Sequence, residues 1–315
     1  MRSCVGQTDP VRVAVADIGS NSTRLLIADV EDGRVVRELE HRSIVTRLGA
    51  GVDSNGALSE EGIERVYETL DEYAANVERD GADKRVAVLT SAVRDASNGE
   101  DFAKSVRERY GFEPHVLSGD DEAQLTFLGA TSERDPDDRT PTLVVDIGGG
   151  STELVTGAGR QADFHVSTQA GVVRQTERHL HHDPPLPDEL EALSSEVREI
   201  VIGGVPEGKR SAIGRGIGVA GTATQLASIA QGLEPYDPKK VHGYALSVQE
   251  AREILGRLAA VDLEERKKTR GLDPARAPTI VAGVEILLVV LELFGLAEVE
   301  VSEHDILRGA ALGLS

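Results

Sequence analysis

A twelve-residue segment occurs twice in this chain of 315 residues, and seven of its positions are identical between the two copies. The first copy reads VADIGSNSTRLL from Val15, and the second reads VVDIGGGSTELV from Val144. Each copy is an apolar run ending in Asp, a turn of small residues, Ser-Thr and a second apolar run. This pattern predicts two strands joined by a tight turn. One such hairpin in each half of the chain predicts a duplicated α/β protein.

The turn of each hairpin has the composition of a phosphate-binding loop. Small residues allow backbone N–H groups to converge on an anion, and the Ser and Thr hydroxyls add donors. Asp17 and Asp146 come at the ends of the preceding strands, where a carboxylate can hold Mg²⁺ directly or through water. We therefore expect the two hairpins to hold a polyphosphorylated ligand in a cleft between two domains.

Composition excludes several classes of protein. Lys and Arg number 34 against 54 Asp and Glu, and the resulting net charge of −20 argues against nucleic acid as a partner. Cys4 is the single cysteine, which excludes an intrachain disulfide and a cysteine-based metal site. The first ten residues lack the apolar core of a signal peptide, and Glu285 and Glu292 interrupt the longest apolar run, residues 280–297. We expect a cytoplasmic protein that does not bind membranes.

Predicted strands and helices alternate along the chain, which is typical of α/β domains. Ser118 and Asp121 fit a helix capping pattern, and residues 218–224 form a third glycine turn. The predicted strands cover residues 11–16, 23–30, 34–46, 86–89 and 298–301. The predicted helices cover residues 59–81, 98–110, a segment from Ser118, 172–181, 188–202, 248–260, 274–293 and 305–314.

Four motifs together resemble the exopolyphosphatase/guanosine pentaphosphate phosphohydrolase (Ppx/GppA phosphatase) family. They are DIGSNSTRL from Asp17, TSAVRDA from Thr90, SGDDEA from Ser118 and DIGGGSTE from Asp146. The likeness continues through residues 218–227, 242–246, 271–277 and 302–309.

The resemblance implies a fold and a division into domains. The fold is the two-domain actin-like ATPase fold, shared with sugar kinases, heat-shock chaperones and actin, with duplicated ribonuclease H-like domains. Domain I is expected to comprise residues 1–119 with the returning helix at 303–315, and domain II residues 120–302.

The resemblance also implies catalytic roles. Glu122 corresponds to the family's water-activating Glu, whereas the neighbouring Glu of the motif is Asp121 here. Asp146 and Glu153 complete the catalytic set. An alternative interpretation is that Asp120, Asp121 and Glu122 are only first-turn acids that favour the helix dipole.

Arginines and both hairpin turns are expected to bind the phosphates. Asp146 is the leading ligand for Mg²⁺, and Asp17 is expected to share it. A purely structural alternative is that these two acids cap turns, and that Arg94 forms a surface salt bridge. The predicted phosphate-binding residues are Ser20, Asn21, Ser22, Thr23, Arg24, Arg94, Gly148, Gly149, Gly150, Ser151, Thr152, Gly221 and Thr222.

The resulting hypothesis is an exopolyphosphatase that releases terminal orthophosphate from inorganic polyphosphate by Mg²⁺-assisted attack of water. The same chemistry on guanosine pentaphosphate is the nearest alternative. A kinase should exclude water, so a Glu placed to activate water argues against one. A non-enzymatic nucleotide-binding protein is the alternative from a different class, and the intact acids argue against it. The family resemblance also implies a possible homodimer.

Overall fold

The computed structural model describes residues 9–135 and 137–314, apart from the side chains of residues 53 and 54. Cys4 therefore lies outside the described residues. The chain divides into two compact units. Unit 1 contains the residues up to Glu133 and those from Ile306 onward, and unit 2 is Arg134–Asp305.

Unit 1 is built on a sheet with the strand order β3-β2-β1-β4-β5. Strand β1 pairs antiparallel with β2 and parallel with β4, and β2 pairs antiparallel with β3. Successive side chains of a strand point to opposite faces of the sheet. Strand β1 is buried on both faces because apolar residues occupy consecutive positions along it. The strands are β1 (Val11–Ile18), β2 (Ser22–Glu31), β3 (Arg34–Val45), β4 (Lys84–Leu89) and β5 (Glu113–Val116).

Helices cover both faces of this sheet. On one face, Ala14 and Ile18 of β1 pack in a core with Leu70 and Phe102. On the other face, Val13 belongs to a second core that includes the C-terminal helix. With helices numbered in chain order, those of unit 1 are α1 (Val52–Asn55), α2 (Glu60–Asp80), α3 (Ser91–Arg94), α4 (Gly99–Tyr110), α5 (Gly119–Ala130) and α14 (Ile306–Gly313).

The boundary between the units differs from the predicted one. Sequence placed it after residue 119, but helix α5 belongs to unit 1 because it packs against α14. Leu125 of α5 shares a core with Ile306 and Leu307. A Cβ atom on Gly309 would lie 1.8 Å from the Leu125 carbonyl oxygen, so the two helices touch through their backbones. Glu122, which the sequence assigned to domain II, therefore belongs to unit 1.

Unit 2 repeats the strand order of unit 1 and adds one edge strand, giving β10-β11-β9-β6-β7-β8. Strand β6 pairs antiparallel with β7 and parallel with β9, and β7 pairs antiparallel with β8. The duplicated topology predicted from the repeat is thereby confirmed. The strands are β6 (Thr142–Ile147), β7 (Thr152–Ala158), β8 (Gln161–Thr168), β9 (Arg215–Val219), β10 (Ala245–Ser247) and β11 (Glu298–Val301).

The core of unit 2 joins the sheet to helix α13, whose residues are nearly all buried. On this helix Glu285 is half-buried and Glu292 is exposed. No helix in the described ranges is long and apolar enough to cross a membrane. The helices of unit 2 are α6 (Val172–His179), α7 (Pro187–Gly204), α8 (Glu207–Arg210), α9 (Ala220–Gln231), α10 (Pro238–Val241), α11 (Val248–Ala259), α12 (Leu263–Arg266) and α13 (Ile280–Leu293), with a 3₁₀ turn at Pro274–Arg276.

Candidate active site

The first hairpin turn, residues 19–21, is closed by a hydrogen bond from the Gly19 N–H to the Ser22 carbonyl (3.0 Å). A supporting loop binds the carbonyl groups of the turn. The Gly49 N–H donates to the Ser20 carbonyl (2.8 Å), and the N–H groups of residues 46 and 47 donate to the Asn21 carbonyl. The N–H groups of Ser20 and Asn21 have no acceptor among the described residues. These two amides are therefore available to an anion.

The second hairpin turn, residues 148–150, has the same construction. The Gly148 N–H donates to the Ser151 carbonyl (2.9 Å). The first turn of helix α6 binds the turn's carbonyls, with Val172 N–H to Gly148 O at 2.9 Å and Val173 N–H to Gly149 O at 2.8 Å. Within residues 9–135 and 137–314, no acceptor faces the N–H groups of residues 149 and 150.

Two glycines outside the repeated motif allow these turns to be supported so closely. A Cβ atom on Gly171 would lie 2.4 Å from the Gly149 carbonyl oxygen. A Cβ atom on Gly49 would lie 2.8 Å from the Ser20 Cβ. Sequence analysis missed both glycines because each acts on a turn that is distant in sequence, and only the tertiary fold shows which turn that is.

The two hairpins differ in charge at one pair of facing positions. Asp17 on β1 lies opposite Arg24 on β2, and Arg24 donates to Oδ2 of Asp17 through Nε (2.8 Å) and Nη2 (2.6 Å). In unit 2, Asp146 on β6 lies opposite Glu153 on β7. The first hairpin thus carries an ion pair, whereas the second carries two carboxylates, an arrangement that favours a bound cation.

Two serine hydroxyls hold the Glu153 carboxylate. Ser151 Oγ donates to Oε1 of Glu153 at 2.6 Å, and Ser167 Oγ donates to the same oxygen at 2.9 Å. Ser167 lies on β8, directly opposite Glu153. Two donors to one oxygen fix the orientation of the carboxylate. Ser167 was not predicted as a site residue, because its role depends on strand register.

The structure corrects the interpretation of three threonine hydroxyls. Thr23 and Thr152 are fully buried, and their hydroxyls bond to Thr46 Oγ1 (3.0 Å) and the Ala170 carbonyl (2.7 Å). Thr222 is also buried, with its hydroxyl 3.4 Å from the carbonyl oxygen of residue 147. A hydroxyl used inside the protein is not free to donate to a ligand. We therefore assign these three side chains to packing rather than to phosphate binding. The same reasoning assigns the Ser151 hydroxyl to the Glu153 carboxylate.

Arg94 and Glu122 lie close together in unit 1. Arg94 Nη1 donates to the Leu117 carbonyl (3.0 Å) and lies 3.7 Å from Oε2 of Glu122. Asp121, the residue that departs from the family motif, accepts a hydrogen bond from Ser118 Oγ (2.6 Å) at the N-terminus of α5. The Asp121 N–H donates in turn to Ser118 Oγ (3.2 Å), which confirms the helix cap predicted from the sequence. The Asp at position 121, where the family motif has Glu, therefore takes part in capping helix α5.

The third glycine turn precedes helix α9. Ala220 has a φ of 59°, a left-handed conformation that costs a residue with a Cβ atom about 1–2 kcal/mol. The guanidinium group of Arg276 packs against Gly221, where a Cβ atom would lie 1.9 Å from Nη1. Gly221 is therefore required for this contact, which places a cation beside the turn.

A cavity of about 580 Å³ adjoins this turn in unit 2, and residues from two segments line it. Two of its lysines, Lys267 and Lys268, form ion pairs with Glu264 (2.7 Å) and Glu265 (2.8 Å). The lining of the cavity includes Thr224, Gln225, Ser228, Tyr236, Lys267, Lys268, Arg270 and Arg276.

The shared strand order and the two equivalent hairpins define a protein of the actin-like ATPase fold with duplicated ribonuclease H-like units. A nucleoside triphosphate hydrolase of Neospora caninum shows the same fold, with a TM-score of 0.52 at 11% identity over 96% of this chain and 92% of that chain. A likeness at this level of identity concerns the fold alone.

The chain belongs to the Ppx/GppA phosphatase family, whose family model matches residues 26–312. It is 36% identical to exopolyphosphatase 2 of Mycobacterium tuberculosis, over 96% of this chain and 98% of that protein. The bifunctional 3-dehydroquinate synthase/phosphatase of Fusobacterium nucleatum is 34% identical over 95% of this chain and 46% of its own length.

Solved structures agree with this assignment. The Aquifex aeolicus member of the Ppx/GppA family has a TM-score of 0.86 at 31% identity, with 97% of each chain covered. An exopolyphosphatase from Cytophaga hutchinsonii has a TM-score of 0.81 at 27% identity, covering 96% of this chain and 97% of that chain.

Proposed function

We propose that this protein is a cytoplasmic exopolyphosphatase, which hydrolyses the terminal phosphoanhydride bond of inorganic polyphosphate. The observation that carries the proposal is the pair of turns, residues 19–21 and 148–150. The protein binds the carbonyls of residues 20, 21 and 148–150, while the N–H groups of residues 20, 21, 149 and 150 lack an acceptor among the described residues. Such amides bind phosphate oxygens. Relatives named exopolyphosphatase align over nearly the whole chain, which supports the same activity.

In this reaction Glu122, Arg24 and Arg94 have distinct chemical roles. Glu122 accepts a proton from water as the water oxygen attacks the terminal phosphorus. The bond from this phosphorus to the bridging oxygen breaks, and the shortened polyphosphate leaves with the bonding electrons. Arg24 and Arg94 stabilise the phosphate charge through charged hydrogen bonds.

Mg²⁺ fits the donor set of Asp146 and Glu153, because their facing carboxylates offer the oxygen ligands that this cation prefers. Asp17 is a poorer candidate, since its Oδ2 already accepts two hydrogen bonds from Arg24. When bound, Mg²⁺ supplies positive charge to the phosphate oxygens.

Orthophosphate release from polyphosphate, guanosine pentaphosphate and ATP, each with and without Mg²⁺, tests this proposal. We expect the highest kcat/KM with polyphosphate and little release without Mg²⁺. Absence of release from polyphosphate by folded protein at saturating Mg²⁺ would contradict the proposal. Glu122→Gln is the matched control for contaminating phosphatases.

One observation favours guanosine pentaphosphate as the alternative substrate. The sequence, with no Trp and five each of Phe and Tyr, gave no indication of an aromatic-lined base pocket. Tyr236, however, is 42% exposed and lines the cavity beside the third turn, together with Gln225 and Ser228. If this cavity holds a base, Tyr236→Ala should lower kcat/KM for guanosine pentaphosphate and leave polyphosphate hydrolysis unchanged.

A further inference from the structure

Arg174 lies against the second glycine turn and was not among the residues predicted from the sequence. It belongs to the first turn of α6, and its Nε donates to the Gly150 carbonyl (3.0 Å). A Cβ atom placed on Gly150 would lie 3.9 Å from Arg174 Nη2. The guanidinium group is therefore fixed beside the turn.

Arg174 differs from the two predicted phosphate-binding arginines in its charge environment. Arg24 is paired with Asp17, and Arg94 has carboxylate partners in Asp95 and Glu122. In contrast, no carboxylate in the described parts of the chain pairs with Arg174. In a protein with a net charge of −20, an arginine held in place without an acid has an uncompensated charge. That charge attracts an anion.

The amides of the same turn provide the complementary donors. The N–H groups of Gly149 and Gly150 lack acceptors within the described ranges, while the turn's carbonyls are bound by α6 and by Arg174. Arg174 thus fixes the turn through Nε and leaves its Nη atoms for another acceptor. An Arg fork of this kind suits phosphate better than a lysine, because its planar donors can bind two oxygens.

We propose that Arg174 is a phosphate-binding residue of unit 2, contacting the phosphate group that the 148–150 turn holds. This inference deepens the proposed function, since it adds a second source of positive charge to the same site. It concerns binding of a phosphate chain and requires no covalent step.

Binding of inorganic tripolyphosphate, measured by calorimetry in the slow Glu122→Gln background, tests the inference. Arg174→Gln should weaken binding by about 10-fold or more, the scale expected for one charged hydrogen bond. Arg174→Lys should recover only part of the loss. Arg178→Gln is the matched control, because Arg178 lies one turn further along α6, is exposed and pairs with Glu196. It should bind tripolyphosphate as the parent does.

A second measurement does not depend on the folding of a variant. Phenylglyoxal modification of Arg174, followed by mass spectrometry, should slow when tripolyphosphate is added, whereas modification of Arg178 should not. Unchanged affinity in a folded Arg174→Gln protein, or equal modification rates with and without tripolyphosphate, would overturn the inference. Because both measurements report binding, they remain informative if the protein binds tripolyphosphate but fails to hydrolyse polyphosphate, which is the outcome that refutes the proposed function.

Discussion

Asp146 and Glu153 face each other on antiparallel strands of unit 2, at the positions that Asp17 and Arg24 occupy in unit 1. At this pair of facing positions the two hairpins therefore differ in the sign of one side-chain charge. The first hairpin neutralises its acid internally, whereas the second presents two acids. This difference explains why we assign the cation to unit 2 although both copies keep the Asp.

Asp146→Asn should move half-maximal Mg²⁺ activation to higher concentration, because the amide preserves the shape of the side chain but removes a charge that a hard cation requires. The measurement is a Mg²⁺ titration of orthophosphate release. Asp17→Asn serves as a comparison and should shift the curve less, since Asp17 is already paired with Arg24. Identical activation curves for wild type and Asp146→Asn would remove Asp146 as a metal ligand.

Ser167→Ala removes one of the two hydroxyls that hold Oε1 of Glu153. We expect Mg²⁺ affinity to fall by a factor of about 10. This is the lower end of the typical loss when a metal ligand loses a hydrogen-bond partner. Ser167→Thr should restore it, since the hydroxyl is retained on a strand. The rise in Tm on adding Mg²⁺ provides a readout that is independent of turnover. If Ser167→Ala keeps the full Mg²⁺-dependent rise, the hydrogen bond does not support the site.

Glu122→Gln should reduce kcat by about 100-fold or more, the usual scale for loss of a general base. Tripolyphosphate binding should be retained, because Arg94 keeps its hydrogen bond to the Leu117 carbonyl. The neighbouring Asp121→Asn change is the matched control and should affect helix stability more than turnover, since Asp121 interacts with the Ser118 cap. Wild-type turnover in folded Glu122→Gln would exclude Glu122 as the base.

Arg94→Ala should lower kcat/KM for polyphosphate and guanosine pentaphosphate alike, by about 1.5–3 kcal/mol if Arg94 makes a charged hydrogen bond to phosphate. Arg24→Ala should do the same, but it also leaves the buried carboxylate of Asp17 without its cation. Removing one partner of a buried pair costs about 3–5 kcal/mol of stability. Urea unfolding separates the two effects, and the double variant Asp17→Asn, Arg24→Ala should recover stability but not activity. An Arg94→Ala protein that loses only one of the two activities would show that Arg94 does not act on the shared phosphates.

The sequence predicted the helices and strands that are determined by their own periodicity and end residues. Helix α2 has a Ser59 N-cap and a Gly81 C-cap, as its periodicity and end residues indicated. The predicted helix at 274–293 is instead a 3₁₀ turn followed by α13. Strands β5, β8, β9 and β10 were missed. Of these, β5 and β10 have only 4 and 3 residues, which is too short to show a clear alternation.

The sequence predicted which motifs carry the candidate site, but not how their side chains are engaged. Which threonine hydroxyls are used internally, and that Ser167 contacts Glu153, depend on the register between strands. The placement of α5 in unit 1 depends on a backbone contact with a helix about 180 residues away in the sequence. Spacing within a single motif contains no information on such contacts.

Glu285 predicts a pH dependence of stability. Burial on α13 raises its pKa above the ordinary value, and the nearby charge of Glu292 adds to this, while a hydrogen bond from Ser194 opposes it. The folded protein therefore holds the Glu285 proton more tightly than the unfolded chain does. The penalty of ionising this carboxyl is absent below the unfolded pKa, grows as pH rises through the folded pKa, and is then constant.

Glu285→Gln removes this penalty and keeps an acceptor for Ser194. The variant should therefore have a higher Tm than wild type at pH 7. The difference should shrink as pH falls through the folded pKa and be smallest below about pH 4, where the wild-type carboxyl is protonated in both states. Thermal unfolding across this pH range provides the measurement. Glu199→Gln, at an exposed position of α7, is the control for loss of charge alone. A Tm difference that stays constant with pH would show that packing, rather than ionisation of Glu285, causes the change.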